Sequence, residues 1–150
     1  MQDIESLFQR YKDDVYRLAL SYTRSVQEAE DVCQNVFLKA MGNVMQPGKE
    51  RSWLMQVTAN ECRNLLRSSW WKKSEGLTPE FPAPEMQYSD IWQTVMALPP
   101  KYRVVIYLRY YEEYTTKEMA QLLGISQTAV TTRLGRAREL LRPALKEEML

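Results

Sequence analysis

The stretch Thr115–Arg138, TTKEMAQLLGISQTAVTTRLGRAR, decides the fold of the C-terminal half of this chain. Thr115 and Glu118 have the spacing of a capping box, in which cap side chains and orphan backbone amides satisfy one another. They open a short helix carrying Met119, Ala120, Leu122 and Leu123. Gly124 supplies the left-handed residue that stops this helix, and Ser126 caps the next. That second helix turns Val130, Leu134, Ala137, Leu140 and Leu141 inward. Two helices joined by Gly124-Ile125-Ser126, with small Ala120 where they cross steeply, make a helix-turn-helix. Its outward set is Gln127, Thr128, Thr131, Thr132 and Arg133, whose amide, hydroxyl and guanidinium groups can meet base edges in a major groove. Arg136 and Arg138 can reach phosphates or pack laterally. A basic helix is usually a solvated face; joined to the capping box, Ala120 and Gly124, this one points to DNA binding.

Upstream, Ser89-Asp90 can cap a helix with Ile91, Trp92, Val95, Met96 and Leu98 on its apolar side. Pro99-Pro100 breaks it, and Tyr102–Tyr111 resumes a helix through Val104, Val105, Tyr107, Leu108 and Tyr111. Before this block lies Ser74–Tyr88, SEGLTPEFPAPEMQY, with three prolines, three glutamates and no basic residue. Proline favours extended backbone, so residues 74–88 are an acidic linker between domains at 1–73 and 89–150.

The N-terminal block repeats helical spacing. Ile4, Leu7, Phe8, Tyr11, Val15, Leu18, Ala19 and Tyr22 predict an amphipathic helix ending near Arg24. Ser25 caps a second helix with Ala29, Val32, Cys33, Val36, Phe37 and Ala40 inward, broken at Gly42-Asn43. Phe37 is expected in the core. After a polar loop, Ser52 is expected to cap a third helix, Trp53 to about Ser69, with Trp53, Leu54, Val57, Cys62, Leu65 and Leu66 as candidate core. The fold class is all-α: two small helical domains joined by a short Pro-rich linker.

Composition removes whole classes of chemistry. The 150 residues contain no histidine, which excludes a Ser-His-Asp or Cys-His nucleophile and any His-ligated metal. The two cysteines, Cys33 and Cys62, form no CxxC and read as reduced, structural thiols. No metal site and no cofactor are expected. No apolar run approaches the roughly 18 residues of a membrane span, and no signal peptide opens the sequence. A soluble chain that stays where it is made is expected. Formal net charge is only +1, yet Ser126–Arg142 gathers Arg133, Arg136, Arg138 and Arg142 against Glu139 alone. For nucleic acid such a local stripe matters more than the total.

Two blocks together resemble one family. Ala29–Phe37 (AEDVCQNVF) is similar to the AED-xx-Q-xx-F signature of region two of extracytoplasmic-function (ECF) sigma factors. Ser52–Asn60 (SWLMQVTAN) and Cys62–Arg67 (CRNLLR) resemble the stretch that follows it. Leu98–Tyr111 (LPPKYRVVIYLRYY) and the helix-turn-helix with its closing Arg136-Ala137-Arg138 resemble region four. The resemblance runs in order along almost the whole chain. It implies a bacterial, cytoplasmic subunit rather than an enzyme. Such a subunit binds core RNA polymerase, recognises −10 and −35 promoter elements and initiates transcription of a dedicated regulon. It implies Asp31, Gln34 and Asn35 for the clamp helices of the large polymerase subunit, with Asn35 where an acidic residue is common. It implies Lys49, Arg51, Asn60, Arg63, Asn64 and Arg67 for the −10 element. For the −35 element it implies Gln127, Thr128, Thr131, Thr132, Arg133 and Arg136. Thr131 stands where a basic residue is common, which removes about one phosphate contact. An anti-sigma factor is the further implied partner, and the linker is implied to lie in the polymerase's RNA exit path; its own residues read equally well as a solvated tether. No stable homo-oligomer and no direct membrane insertion are expected.

Two other readings compete. A stand-alone helix-turn-helix regulator would dimerise and read paired half-sites. An enzyme would have to rely on carboxylates such as Glu112-Glu113, which diverge on a helix and carry no supporting motif.

Overall fold

The structure, a computed structural model, describes residues 3–67 and 90–149; the expected linker lies outside them. Among the described residues every regular element is helical. The chain divides into two compact units, Met1–Glu80 and Phe81–Leu150.

The first unit is three helices: α1 (Ile4–Thr23), α2 (Val26–Met41) and α3 (Glu50–Arg67). Asp3 caps α1, and Arg24, at φ 55°, ends it in the left-handed region. Ser25 Oγ accepts from the Glu28 amide at 3.3 Å and starts α2 after a break of only two residues. Each helix packs on both others. Val15, Leu18, Ala19, Ala29, Val36, Leu54, Ala59 and Cys62 are fully enclosed between them. Phe37 is buried as expected, with its ring edge-on to Phe8 at 5.0 Å.

The third helix departs from expectation. It begins at Glu50, not after Ser52. The Trp53 amide donates to the Lys49 carbonyl at 3.1 Å, so the turn through Pro47 and Gly48 feeds directly into the helix. Ser52 is exposed, and Trp53, Val57, Leu65 and Leu66 are only half-buried. The enclosed face is Leu54, Met55, Thr58, Ala59 and Cys62 instead. Small Ala59 and Cys62 let the helices approach, and Thr58 returns its hydroxyl to the Leu54 carbonyl at 2.7 Å. Cys33, expected inward, is half-buried; both thiols are free, and burial pushes both above the usual thiol range.

The second unit comprises α4 (Asp90–Ala97), α5 (Pro100–Ile106), a π turn at Tyr107–Tyr111, α6 (Thr116–Leu123) and α7 (Gln127–Met149). Pro100 opens α5, where its missing N–H costs nothing. The expected single helix to Tyr111 instead widens by one residue: the Glu112 amide bonds the Tyr107 carbonyl at 3.2 Å. This buries both Tyr107 and Leu108 and brings the Tyr107 hydroxyl to Glu112 Oε1 at 2.5 Å. The capping box is formed in both directions, with Thr115 N to Glu118 Oε1 at 2.9 Å and Glu118 N to Thr115 Oγ1 at 3.1 Å. Ser126 Oγ accepts from the Ala129 amide at 3.0 Å and caps α7. Val130, Leu134, Ala137 and Leu141 face inward, whereas Leu140, expected with them, is 50% exposed. It lies one residue, about 100° of helix, off the 134–137–141 stripe.

Gly124 sits at φ 69°, and a Cβ there would meet nothing within 4 Å. The cost of Gly124→Ala is therefore conformational alone. It is expected to destabilise the second unit by about 1 kcal/mol, read by urea unfolding of the full chain.

Candidate functional site

Three surfaces carry the residues expected to act. The first lies on the outer face of α2. Asp31, Gln34 and Asn35 are all exposed there, at helical steps of three and four. The same face continues into apolar residues that the sequence reading did not select. Leu38 is 64% exposed and Met41 65%. With Ile4, Phe8 and Phe37 they line a groove of about 360 Å³ whose polar end is Gln34 and Glu5. Such a surface, acidic at one end and apolar at the other, suits another protein better than nucleic acid. The signal was present in the sequence: Leu38 follows Phe37 and therefore falls off the inward stripe.

The second surface joins the loop before α3 to the outer side of that helix. Met45 is buried and pins the loop, while Val44 beside it is fully exposed and Lys49 stands free in solvent. Arg51 is held in an ion pair. Its Nε donates to Asp14 Oδ2 at 3.2 Å, and the other carboxylate oxygen of Asp14 takes Arg17 at 2.6 Å. Arg51 thus fastens the start of α3 to α1 with its guanidinium still partly exposed. Further along, Arg63 donates to Asn60, and Arg67 donates to Asn64 at 3.3 Å. These two pairs repeat at a four-residue step and lay amide and guanidinium groups along roughly 10 Å of helix. A row of donors with that spacing suits a sugar-phosphate backbone. Lys39 pairs with Glu61 and ties α2 to α3 behind this row.

The third surface is the N-terminal part of α7. Gln127, Thr128, Thr131 and Thr132 are exposed, and Arg133 is half-buried. Gln127 Nε2 donates to Thr116 Oγ1 at 2.8 Å, locking the starts of α6 and α7 together. That bond uses the amide nitrogen and leaves Gln127 Oε1 as an acceptor. Thr131 donates its hydroxyl to the Gln127 backbone carbonyl at 3.1 Å. What it presents outward is therefore a methyl and an acceptor, a pairing suited to a thymine methyl or a base amino group. Arg136 and Arg138 flank buried Ala137. The Arg136 guanidinium holds the Tyr102 phenol below its usual range, and Arg138 Nε donates to Tyr110 Oη at 2.7 Å.

One structural residue escaped the sequence reading altogether. Arg103 is 1% exposed, and its Nη1 donates to the carbonyls of Leu98 at 2.6 Å and Met96 at 3.5 Å. It closes the carbonyl end of α4. Among the described residues no group of acidic or cysteine side chains could hold a metal ion, and no helix is long and apolar enough to cross a membrane.

Comparison with known proteins accounts for both units. The family model for sigma-70 region 2 matches residues 7–72, and that for sigma-70 region 4 matches residues 88–141. The N-terminal match is to a sigma-factor region, not to a block of a stand-alone regulator. The ECF RNA polymerase sigma factor SigW of Bacillus subtilis is 32% identical, the alignment covering 91% of this chain and 86% of SigW. SigV of the same organism is 32% identical over 93% of this chain and 89% of its own length. Among solved structures, the sigma factor RpoE of Bartonella quintana, bound to the anti-sigma factor NepR, superimposes with a TM-score of 0.75. It covers 97% of this chain and 98% of RpoE at 21% identity, which speaks to the fold. CnrH, solved with the cytosolic domain of CnrY, gives 0.66 at 25% identity over 96% of this chain and 88% of CnrH. With both regions matched in order and relatives a third identical along nine-tenths of the sequence, this chain belongs to the ECF sigma factors of the sigma-70 family.

Proposed function

We propose that this chain is the promoter-specificity subunit of a bacterial RNA polymerase, working in the cytoplasm and without catalytic groups of its own. The observation that carries the reading is the placement of three separate polar surfaces on two small helical units. Each surface has the chemistry its partner requires. Asp31, Gln34 and Asn35 dock on core polymerase. Lys49, Arg51, Asn60, Arg63, Asn64 and Arg67 engage the −10 element, where the α3 donors replace contacts that an unstacked strand loses. Gln127, Thr128, Thr131, Thr132, Arg133 and Arg136 engage the −35 duplex. Residues 1–73 and 89–150 are the two working domains, joined by the acidic linker 74–88. An anti-sigma factor is the natural inhibitor, a reading supported by RpoE having been solved with the anti-sigma factor NepR.

Run-off transcription with bacterial core polymerase on a genomic promoter library tests this reading. Addition of the chain is expected to produce transcripts absent with core alone. The double variant Asp31→Ala, Gln34→Ala is expected to lose at least tenfold of that signal, since two exposed contacts at a protein interface together reach about 1.4 kcal/mol. No transcripts, together with direct promoter binding by the chain alone, would overturn the assignment.

A further inference from the structure

Tyr110 stands on the π turn and Arg138 on α7, and the two meet at the surface. Arg138 Nε donates to Tyr110 Oη at 2.7 Å, with the guanidinium carbon 5.8 Å from the ring centroid. Both side chains are exposed, Tyr110 by 54%. Tyr107 and Leu108 take the buried side of the widened turn, which leaves Tyr110 outward to meet Arg138. Turns of this kind recur at functional sites. The bond occupies Nε alone. Among the described residues Arg138 pairs with no carboxylate, and its two terminal nitrogens have no hydrogen-bond partner. The phenol oxygen accepts from Arg138, so its own O–H is left as a donor. A braced guanidinium fork and a hydroxyl proton thus stand side by side in solvent, both as donors.

As a device for holding α7 to the π turn this pair contributes little. Exposed polar contacts are weak, and buried Leu134, Ala137 and Leu141 already pack the helix. What the phenol does is aim the fork. An arginine held at Nε loses less rotamer freedom when its terminal nitrogens take a ligand. Planar paired donors of this kind match a phosphate or a carboxylate. The position on α7 selects between them. Arg138 stands three helical turns past Gln127, on the same face and about 16 Å further along the axis. With the N-terminal residues of α7 in a groove about 12 Å wide, Arg138 comes out at the groove's edge, where the phosphates run. Exposed Arg142, one turn further on, keeps the local charge positive against Glu139 alone. We propose that Arg138, aimed by Tyr110, clamps a backbone phosphodiester beside the −35 element, with Tyr110 donating its O–H to the same phosphate. It rests on the proposed −35 role of α7. The clamp also returns to this face of the helix the cation that Thr131 does not supply.

The test is the salt dependence of promoter-duplex binding by holoenzyme reconstituted from core polymerase and the full chain. Arg138→Gln is expected to lower the slope of log K against log salt by about 0.9 and to weaken binding about fivefold at about 0.15 M salt. Tyr110→Phe keeps the ring and the cation but loses the brace and the O–H. It is expected to weaken binding about threefold with the slope unchanged, because a neutral donor releases no counterion. The double variant should lose less than the product of the two single losses, since Tyr110 acts partly through Arg138. Fully independent losses would overturn the aiming role of Tyr110. Each loss should be equal on intact and altered −35 sequences, as a phosphate contact demands. Thermal unfolding of both variants should stay close to the parent's. Unchanged slope and affinity in Arg138→Gln would overturn the clamp. A lowered unfolding temperature with the slope unchanged would do the same, making the pair a structural strut. Weaker core-polymerase binding with the slope unchanged would place the fork on an acidic protein surface instead. Inorganic phosphate at millimolar concentration, with ionic strength held constant, should not compete; competition would assign the site to free phosphate and overturn the DNA assignment. If wild-type holoenzyme selects no promoter, the functional reading fails separately. The same titration is then made with the chain alone on a random-sequence duplex, where Arg138→Gln must still lower the slope.

Discussion

Arg103→Met is expected to destabilise the second unit by about 3 kcal/mol and to raise local opening of α6 and α7 by roughly a hundredfold. Methionine nearly keeps the volume and the unbranched stem, so packing is largely preserved. What disappears is the charged donor. The Met96 carbonyl lies in the last turn of α4 and that of Leu98 just after it, where helix carbonyls lack intrahelical partners and carry the negative end of the helix dipole. Arg103 is 1% exposed, so water cannot replace it at those carbonyls without opening the unit. Each buried acceptor left alone costs about 1–3 kcal/mol. Amide hydrogen exchange on the full chain separates this from any effect on the first unit. Protection should fall across α5, α6 and α7 and stay unchanged in α1 to α3. Parent-like protection throughout would show that the guanidinium is dispensable. Lysine at this position should recover only part of the loss, because a single ammonium does not reproduce the fork of donors.

Much of this architecture is legible because it is written in local chemistry. Ser25, Thr115 and Ser126 cap helices where their side chains reach amides two or three residues on, and Gly124 stops α6 at a positive φ that few other residues adopt. The features that escaped depend on groups distant in sequence or on tertiary fit. Ser52 has the composition of a cap, but the Lys49 carbonyl captures the Trp53 amide first. Nothing within Tyr102–Tyr111 announces a π turn; it forms because Tyr107 and Leu108 are both enclosed. Arg103 looks like any surface arginine until α4 ends against it. The candidate surfaces divide in the same way. Family signatures led to Asp31, Gln34 and Asn35, and all three are exposed on one face. The link from Arg51 to Asp14 across 37 positions has no sequence signal.

Leu38→Asp is expected to reduce association with core polymerase at least thirtyfold while leaving the fold intact. Leu38 is 64% exposed, so its loss removes little packing within the unit. An aspartate near the end of α2 opposes the helix dipole by less than about 1 kcal/mol. The interface is another matter. Leu38 and Met41 extend the face of Asp31 and Gln34 into the groove beside Phe8, so a docked partner would cover an apolar centre with a polar margin. A carboxylate placed in such a centre must be stripped of water with no counter-charge, and central contacts of this kind reach about 2 kcal/mol or more, a factor of about thirty. Leu38→Lys distinguishes the two ways this could arise. If the groove is closed by an apolar partner surface, aspartate and lysine lose affinity alike. If the partner were merely negatively charged, lysine would bind as well as leucine or better. Equilibrium titration of labelled chain with core polymerase reads both variants. Affinity within threefold of the parent for Leu38→Asp would confine docking to the acidic end of α2 and remove the groove from the interface. Such an apolar centre would also account for Asn35 at a position where a carboxylate is common: a charged margin steers encounter, whereas a buried apolar contact sets how long a complex lasts.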